Sequence, residues 1–281
     1  TRCSGVSWGS EMCIRDRLED LGRAGDITTD AIVPPDHRSR LALGARQDGV
    51  VAGLDLARIA FRLMDPDIDM IVHRPDGAPV RAGEAIATLS GSTRGLLTAE
   101  RTALNLLCRL SGIATATAGL VDAVRGHRAS IVCTRKTTPG LRALEKYAVR
   151  AGGGGNHRFG LDDAILIKDN HVAIAGGIRP ALQRARNHAG HMVKIELEVD
   201  SLDQLREAME IGVDAVLLDN MGPEMLAEGV SIIAGRAISE ASGRITPQTA
   251  PAIAASGVDL ISCGWITHSA AILDIGFDHL D

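Results

Sequence analysis

The sequence predicts an α/β protein in two parts: a small α+β module, then repeated strand–helix units that build a parallel barrel or sheet. Three observations carry this reading. From about residue 128 onward, six short apolar runs recur at intervals of about 21–35 residues, each closed by a polar residue or glycine and followed by a helix-like stretch. Residues 18–97, by contrast, are crowded with turn signals. The composition, 45% apolar and 23% charged, supplies both a core and a wettable surface, which excludes an intrinsically disordered chain.

Residues 1–17 show neither helical nor strand periodicity and are read as a non-native or disordered leader outside the fold. Asp48-Gly49 between the runs 40–47 and 50–54 is a hairpin signature. Residues 55–64 read as a helix with Leu56, Ile59, Ala60 and Leu63 on one stripe. Residues 69–73, the turn Pro75-Asp76-Gly77 and residues 85–89 read as strand, turn, strand. The stretch 98–126 is helical, with Thr98 as N-cap, a stripe of Leu104, Leu107 and Cys108, and a break at Ser111-Gly112.

The six runs give the strands of the second part. They are 130–134, ending in Arg135-Lys136; 164–167, ending in Lys168-Asp169-Asn170; and 193–199, carrying Glu196 and Glu198. Then come 215–218, ending in Asp219-Asn220; 237–241, ending in Ser242-Gly243; and 260–263, ending in Gly264. In parallel (β/α) folds, chemistry gathers at the C-terminal ends of the strands. Within 193–199, alternation puts Lys194, Glu196 and Glu198 on one face and Ile195, Leu197 and Val199 on the other. The charged face belongs either to a barrel lumen or to a half-solvated edge strand.

Charge and composition narrow the function. Thirty basic against 35 acidic residues, with six aromatics, exclude a nucleic-acid binder built on basic stripes and stacking rings. No apolar run approaches the roughly 20 residues of a membrane span. The five cysteines have no metal-ligand spacing and read as the reduced thiols of a cytoplasmic protein. Only four of the basic residues are lysines, Lys136, Lys146, Lys168 and Lys194, and all fall within one 59-residue stretch.

Strand ends and the adjoining loop gather Arg135, Lys136, His157, Arg158 and Lys168, with Glu198 and Asp219 as acids. Clustered cations in a net-acidic protein point to a polyanionic small molecule. Two carboxylates suit Mg²⁺ held partly by substrate phosphates. Ser242-Gly243 and Gly264, each ahead of a helix start, can offer backbone N–H groups to a phosphate. The glycine run 152–155 before Asn156-His157-Arg158 reads as a mobile loop carrying anion contacts.

From about Leu18 to Asp281 the chain resembles the quinolinate phosphoribosyltransferases (nicotinate-nucleotide pyrophosphorylase, carboxylating). The matching stretches are EDLGRAGDIT at 19–28, DGVVAGL at 48–54, LLTAERTALNLLCRLSGIAT at 96–115 and TRKTTPGLRALEKYAV at 134–149. They continue with GGGGNHRFGLDDAILIKDNH at 152–171, LEVDSLDQL at 197–205, VLLDN at 216–220 and GWITHS at 264–269. The resemblance implies an N-terminal α/β sandwich-like domain with a linking helix at 18–112. An open six-stranded α/β barrel follows at 113–281, with a C-terminal tail free to pack on the first domain.

The activity it implies is phosphoribosyl transfer from phosphoribosyl pyrophosphate to quinolinate with decarboxylation, a Mg²⁺-dependent step of NAD biosynthesis. A homodimer or larger assembly is implied, with Arg101 reaching into the partner's site. Carried over by motif, Arg135, His157, Arg158 and Lys168 would meet quinolinate. Lys136, Asn170, Glu198, Asp219, Ser242, Gly243, Gly264 and His268 would hold the sugar donor, with Glu198 and Asp219 also at the metal. Lys136, Lys168, Glu198 and Asp219 would be the catalytic set. Two departures from the family pattern, Arg244 after Ser242-Gly243 and Trp265 after Gly264, lie beside the expected phosphate site. The alternatives are a molybdenum-transport-type paralogue acting on another acceptor, or a non-catalytic anion-binding barrel.

Overall fold

The computed structural model describes residues 5–280. It divides into two compact units, the first comprising residues up to Ala118, Thr138–Gly153 and the segment from Ser269, the second Gly119–Thr137 and Gly154–His268. The first part of the chain forms α1 (Gly5–Leu21), α2 (Ile27–Ile32), β1 (Arg38–Ala45), β2 (Gly49–Val50) and α3 (Leu54–Met64). It continues with β3 (Asp69–Val72), β4 (Pro79–Val80), β5 (Ala85–Ser92) and α4 (Thr93–Ala123). Beyond α4 run β6 (Ser130–Val132), α5 (Arg142–Ala151), β7 (Ile165–Ile167), α6 (Asp169–Ala175), α7 (Ile178–His188) and β8 (Ile195–Val199). Then follow α8 (Leu202–Ile211), β9 (Ala215–Asp219), α9 (Pro223–Ile233), β10 (Ile238–Ser242), α10 (Ala250–Ala255), β11 (Leu260–Ser262), α11 (Trp265–His268) and β12 (Ile275–His279).

In the first unit an antiparallel sheet has the order β12-β1-β5-β3, so the C-terminal strand returns to pair with β1. The hairpin expected at Asp48-Gly49 does not form: β1 pairs with β5 and β12, and β2 pairs with β4. Asp48 instead accepts the Ala82 N–H at 2.9 Å, so long-range pairing of the buried face outweighs the local turn signal. The Pro75-Asp76-Gly77 turn has a further task. Asp76 accepts the N–H groups of Gly53 (2.9 Å) and Leu54 (3.2 Å), satisfying donors at the start of α3.

Three other expectations are corrected here. Gly5–Leu21 is helical although its sequence carries no amphipathic period; Cys13 is fully buried, and Arg17 Nη1 donates to the Leu63 carbonyl at 2.7 Å. Residues 1–4 of the expected leader lie outside the described residues. Thr98 is not an N-cap, since α4 begins at Thr93; its hydroxyl donates to Asp26 at 3.0 Å. Nor does Ser111-Gly112 break α4. Ser111 Oγ accepts from Ala52 N at 3.0 Å and donates to Ala52 O at 3.2 Å, while a Cβ on Gly112 would sit 2.0 Å from the Ala271 carbonyl. Gly112 is there for close backbone approach, and the i−4 ladder runs through it. Contrary to the expectation of no membrane-length apolar run, the 31-residue α4 is long and apolar enough by composition to cross a membrane; over half of its apolar window is buried inside the fold, as in a core helix.

The second unit is the open parallel barrel the sequence predicts, with sheet order β6-β11-β10-β9-β8-β7 and every strand pair parallel. The edge strands β6 and β7 do not pair, which leaves the barrel open between them. On β8, Ile195, Leu197 and Val199 are at most 5% exposed while Glu196 and Glu198 are half-buried on the opposite face. Burying each aliphatic side chain contributes about 1.5–3 kcal/mol, enough to fix which face turns inward. Lys194 lies outside the strand, exposed and paired with Asp214 at 2.8 Å, so the lumen face holds two of the three expected charges. Carboxylates tie neighbouring strands at their N-terminal ends: Asp214 accepts Ile195 N–H (2.9 Å), and Asp259 accepts Ser239 N–H (2.9 Å) and Oγ–H (2.8 Å). The C-terminal ends are thereby left for the site.

Candidate active site

A cavity of about 750 Å³ opens at the C-terminal ends of the barrel strands. Its charges are sorted around the rim. Arg135 and Lys136 follow β6, and Lys168 ends β7, so cations flank the opening between the two unpaired edges. Glu198 and Asp219 line it from the adjacent strands β8 and β9, and Ser242, Gly243 and Gly264 from the ends of β10 and β11. His157 and Arg158 enter from the loop after α5, and His268 from α11. Of the expected residues, Arg101 and Asn170 stand apart from this lining. Arg101 is exposed on α4 and paired with Glu100 at 3.2 Å; Asn170 is exposed on α6.

Local backbone demands place these groups. Lys136 N donates to Thr134 Oγ1 at 3.0 Å, and Thr267 Oγ1 donates to the Lys136 carbonyl at 2.7 Å, fixing the turn after β6. A Cβ on Gly264 would lie 2.9 Å from Lys136 Cδ, so a side chain there would displace the lysine. Gly243 has φ +106°, and its Cβ would fall 2.2 Å from Asn220 Oδ1. Asn220 itself (φ +55°) donates from Nδ2 to Asp219 Oδ2 at 2.6 Å, and Ser242 Oγ donates to Asp219 Oδ1. The glycine run expected to be mobile is pinned at its end: Gly155 bridges β6, donating to Ile131 O (2.8 Å) and accepting from Cys133 N (3.1 Å). Ser242-Gly243 does not directly precede a helix, since α10 starts at Ala250; Gly264 does precede α11.

The electrostatics suit an anion. Arg135 Nε is buried with no hydrogen-bond partner among the described residues, a donor left for a ligand. Burial, then the neighbouring Arg135 charge, lowers the Arg158 guanidinium from its ordinary value, while Arg158 Nη1 donates to Ala164 O at 3.0 Å. Lys168 Nζ is paired with Glu198 Oε2. The two departures from the family pattern support one another: Trp265 Nε1 donates to the Ile245 carbonyl at 2.8 Å, bracing the loop on which Arg244 stands exposed at φ +49°.

Deeper in the lumen lies a cluster that sequence spacing does not bring together. His157 Nε2 is 2.9 Å from Glu196 Oε2 and 3.6 Å from Glu240 Oε2. The Glu196 hydrogen bond raises the His157 pKa against its burial, and the Glu240 charge adds to the rise. Burial, then the Glu196 charge, pushes the Glu240 carboxyl up to about 7, opposed by His157 and the Ser262 hydroxyl. Glu240 is 1% exposed. Its signal was present in the sequence: alternation from Ser242 back along β10 puts Glu240 on the same inward face.

The comparisons with known proteins agree along the chain. Residues 113–278 match the quinolinate phosphoribosyl transferase C-terminal domain, and residues 26–111 match the N-terminal domain. The chain belongs to the quinolinate phosphoribosyl transferase family. It is 46% identical over 261 residues to the probable nicotinate-nucleotide pyrophosphorylase [carboxylating] of Bacillus subtilis, covering 93% of this chain and 90% of that protein. Identity to the nicotinate-nucleotide pyrophosphorylase [carboxylating] of Mycobacterium leprae is 45% over 265 residues, covering 92% and 93%. The nicotinate-nucleotide pyrophosphorylase structure from Francisella tularensis superposes with a TM-score of 0.93 at 37% identity, covering 98% and 97% of the two chains. The span matched to the C-terminal domain, residues 113–278, contains every residue that lines the cavity.

Proposed function

We propose that this member of the quinolinate phosphoribosyl transferase family transfers the phosphoribosyl group of phosphoribosyl pyrophosphate to quinolinate and releases pyrophosphate and CO₂, giving nicotinate mononucleotide for NAD biosynthesis. The observation that carries this reading is the sorting of charge in one cavity, with Arg135, Arg158 and Lys168 facing the carboxylates of Glu198 and Asp219. Quinolinate is a dianion. Arg135, Arg158, His157 and Lys168 bind and orient it, and the buried, unpartnered Arg135 Nε is the clearest vacant donor. Lys136, Glu198, Asp219, Ser242, Gly243, Gly264 and His268 take the sugar donor, with Asn170 at the rim.

Glu198 and Asp219 fit Mg²⁺: two hard oxygen donors on adjacent strands, each already oriented by a protein hydrogen bond. When bound, the ion would neutralise charge on the departing pyrophosphate. The chain's own residues do the rest. The cation wall aligns the pyridine nitrogen with the anomeric carbon, so attack occurs within a fixed pair rather than between free molecules. Lys136 and Lys168 stabilise the charge that leaves. The pyridinium so formed then stabilises the electron pair that stays on C2 as the carboxylate departs.

Arg101, exposed on α4, serves the cavity of a second copy in a homodimer. A cytoplasmic location accords with Cys13, Cys108, Cys133 and Cys263, all buried and all thiols. The test is a Mg²⁺ titration of quinolinate-dependent pyrophosphate release in the parent, Glu198→Gln and Asp219→Asn. The reading expects turnover to collapse in both variants with quinolinate binding nearly intact. Retained turnover at an unshifted Mg²⁺ requirement removes these carboxylates from the mechanism.

A further inference from the structure

The reaction proposed above consumes a proton. When the C2–carboxylate bond breaks, CO₂ leaves and its electron pair stays on C2, which must be protonated to give the product. We propose that Glu240 is the acid that delivers this proton; the inference rests on the proposed reaction and adds the proton's source.

Geometry singles out Glu240 among the three lumen groups. His157 Nδ1 accepts the Arg158 N–H at 2.8 Å, so the ring proton sits on Nε2 and is donated to Glu196 Oε2 at 2.9 Å. Glu196 is therefore the acceptor in that bond. At 3.6 Å, Glu240 Oε2 lies beyond hydrogen-bond reach of the same Nε2, and Glu240 Oε1 is buried with no partner among the described residues. A carboxyl so placed, 1% exposed beside another carboxylate, is cheaper to keep with its proton than without. Of the charges that face it, that of Glu196 acts most strongly. Glu196 from β8 repels a second negative charge; His157 and Ser262 only partly offset it. Its register neighbours, Leu217 on β9 and Leu260 on β11, bring no charge. Glu240 also lines the cavity in which the pyridine is proposed to bind.

The step balances. The C2–carboxylate bond breaks, CO₂ departs, the pair on C2 takes the Glu240 proton, and Glu240 is left as a carboxylate. Water entering the open cavity returns the proton after product release. Glu196 is the positioning residue here: held by His157 at 2.9 Å, it stays beside Glu240 and favours the acid form, which His157 itself only partly opposes.

The two stages can be read separately in a single turnover. Rapid-quench experiments with quinolinate labelled in the C2 carboxylate would follow pyrophosphate and labelled CO₂ between about pH 5.5 and 9. In the parent protein, CO₂ release should fall with rising pH above about 7, while pyrophosphate release stays level over the same range. In Glu240→Gln, CO₂ release should slow by roughly 100-fold or more and lose that limb, with pyrophosphate release within a few-fold of the parent. Glu240→Asp, which keeps an acid, should recover part of the rate and show the limb again. Equal loss of both stages in Glu240→Gln, or CO₂ release independent of pH in the parent, overturns the assignment. The parent measurement stands even if a variant fails to fold. Failure of the parent to release pyrophosphate from the two substrates would instead overturn the proposed function.

Discussion

Replacing Gly243 with alanine should damage both the fold and the sugar-donor side of the site. At φ +106° a residue with a Cβ is strained, a cost of about 1–2 kcal/mol. The new methyl would also lie 2.2 Å from Asn220 Oδ1, 2.8 Å from its Cγ and 3.0 Å from its Cα. The Cα belongs to the backbone and cannot swing aside, because Asn220 N donates to Ser242 O at 2.9 Å. Overpacking of this kind adds about 1–3 kcal/mol, for a total near 2–5 kcal/mol. At roughly 2–4 °C per kcal/mol for a chain of this size, Tm should fall by roughly 4–20 °C. Asn220 can move only by releasing Asp219, so KM for phosphoribosyl pyrophosphate should rise by about tenfold or more, equivalent to about 1.4 kcal/mol. Quinolinate affinity, set on the opposite wall, should change little. Differential scanning calorimetry and steady-state kinetics with each substrate varied would check this. An alanine variant with the parent's Tm and the parent's KM would refute the reasoning.

Four further outcomes follow from the same geometry. Arg135→Ala and Arg158→Ala should weaken quinolinate binding by about 2–4 kcal/mol in calorimetry, with far less effect on the sugar donor; unchanged quinolinate affinity in both would sink their assignment. Glu145, fully buried, accepts from Arg109 Nη2 (2.8 Å), Thr138 N (3.0 Å) and Thr138 Oγ1 (2.7 Å). Glu145→Ala should therefore cost about 3–5 kcal/mol by denaturant unfolding, and a loss under about 1 kcal/mol would contradict that. Glu240 holds its proton to about pH 7 in the fold against an ordinary 4.5, and the His157 pKa is also raised, so the folded state binds more protons and stability falls as pH rises through that window. The Glu240 share is on the order of 3 kcal/mol, and Glu240→Gln should flatten the curve of Tm against pH between 4.5 and 7; an unchanged slope would show that the shift is absent. Arg101→Ala and Lys168→Ala proteins, each inactive alone, should regain activity as mixed dimers; no recovery after verified subunit exchange would tie Arg101 to its own cavity.

Strand ends were the most legible part of the sequence. Buried parallel strands need continuous apolar stretches, and their C-terminal ends must switch to polar residues, so Arg135, Lys168, Asp219 and Gly264 could be read from position alone. What required tertiary information was missed for identifiable reasons. Asp48-Gly49 has a strong local hairpin preference, yet β1 finds its partners in β5 and in β12, more than 200 residues away. Gly112 looks like a helix breaker because its reason for being glycine, the Ala271 backbone, lies far along the chain. The helix Gly5–Leu21 carries no periodic pattern, so its docking on α3 through Cys13 and Arg17 left no trace in sequence. Glu240 is hard to see in sequence because the run 237–241 stands out for its apolar residues, whereas its chemistry comes from convergence with Glu196 and His157 on neighbouring elements.

In the proposed reaction one cavity joins quinolinate to a phosphoribosyl group and then expels its C2 carboxylate. Quinolinate carrying ¹³C in that carboxylate, incubated with the purified protein, phosphoribosyl pyrophosphate and Mg²⁺, tests it most directly by NMR. The carboxylate signal should be lost, labelled CO₂ and bicarbonate should appear, and unlabelled nicotinate mononucleotide should form in equal amount. Label that stays on the pyridine ring, with no pyrophosphate released, would contradict it.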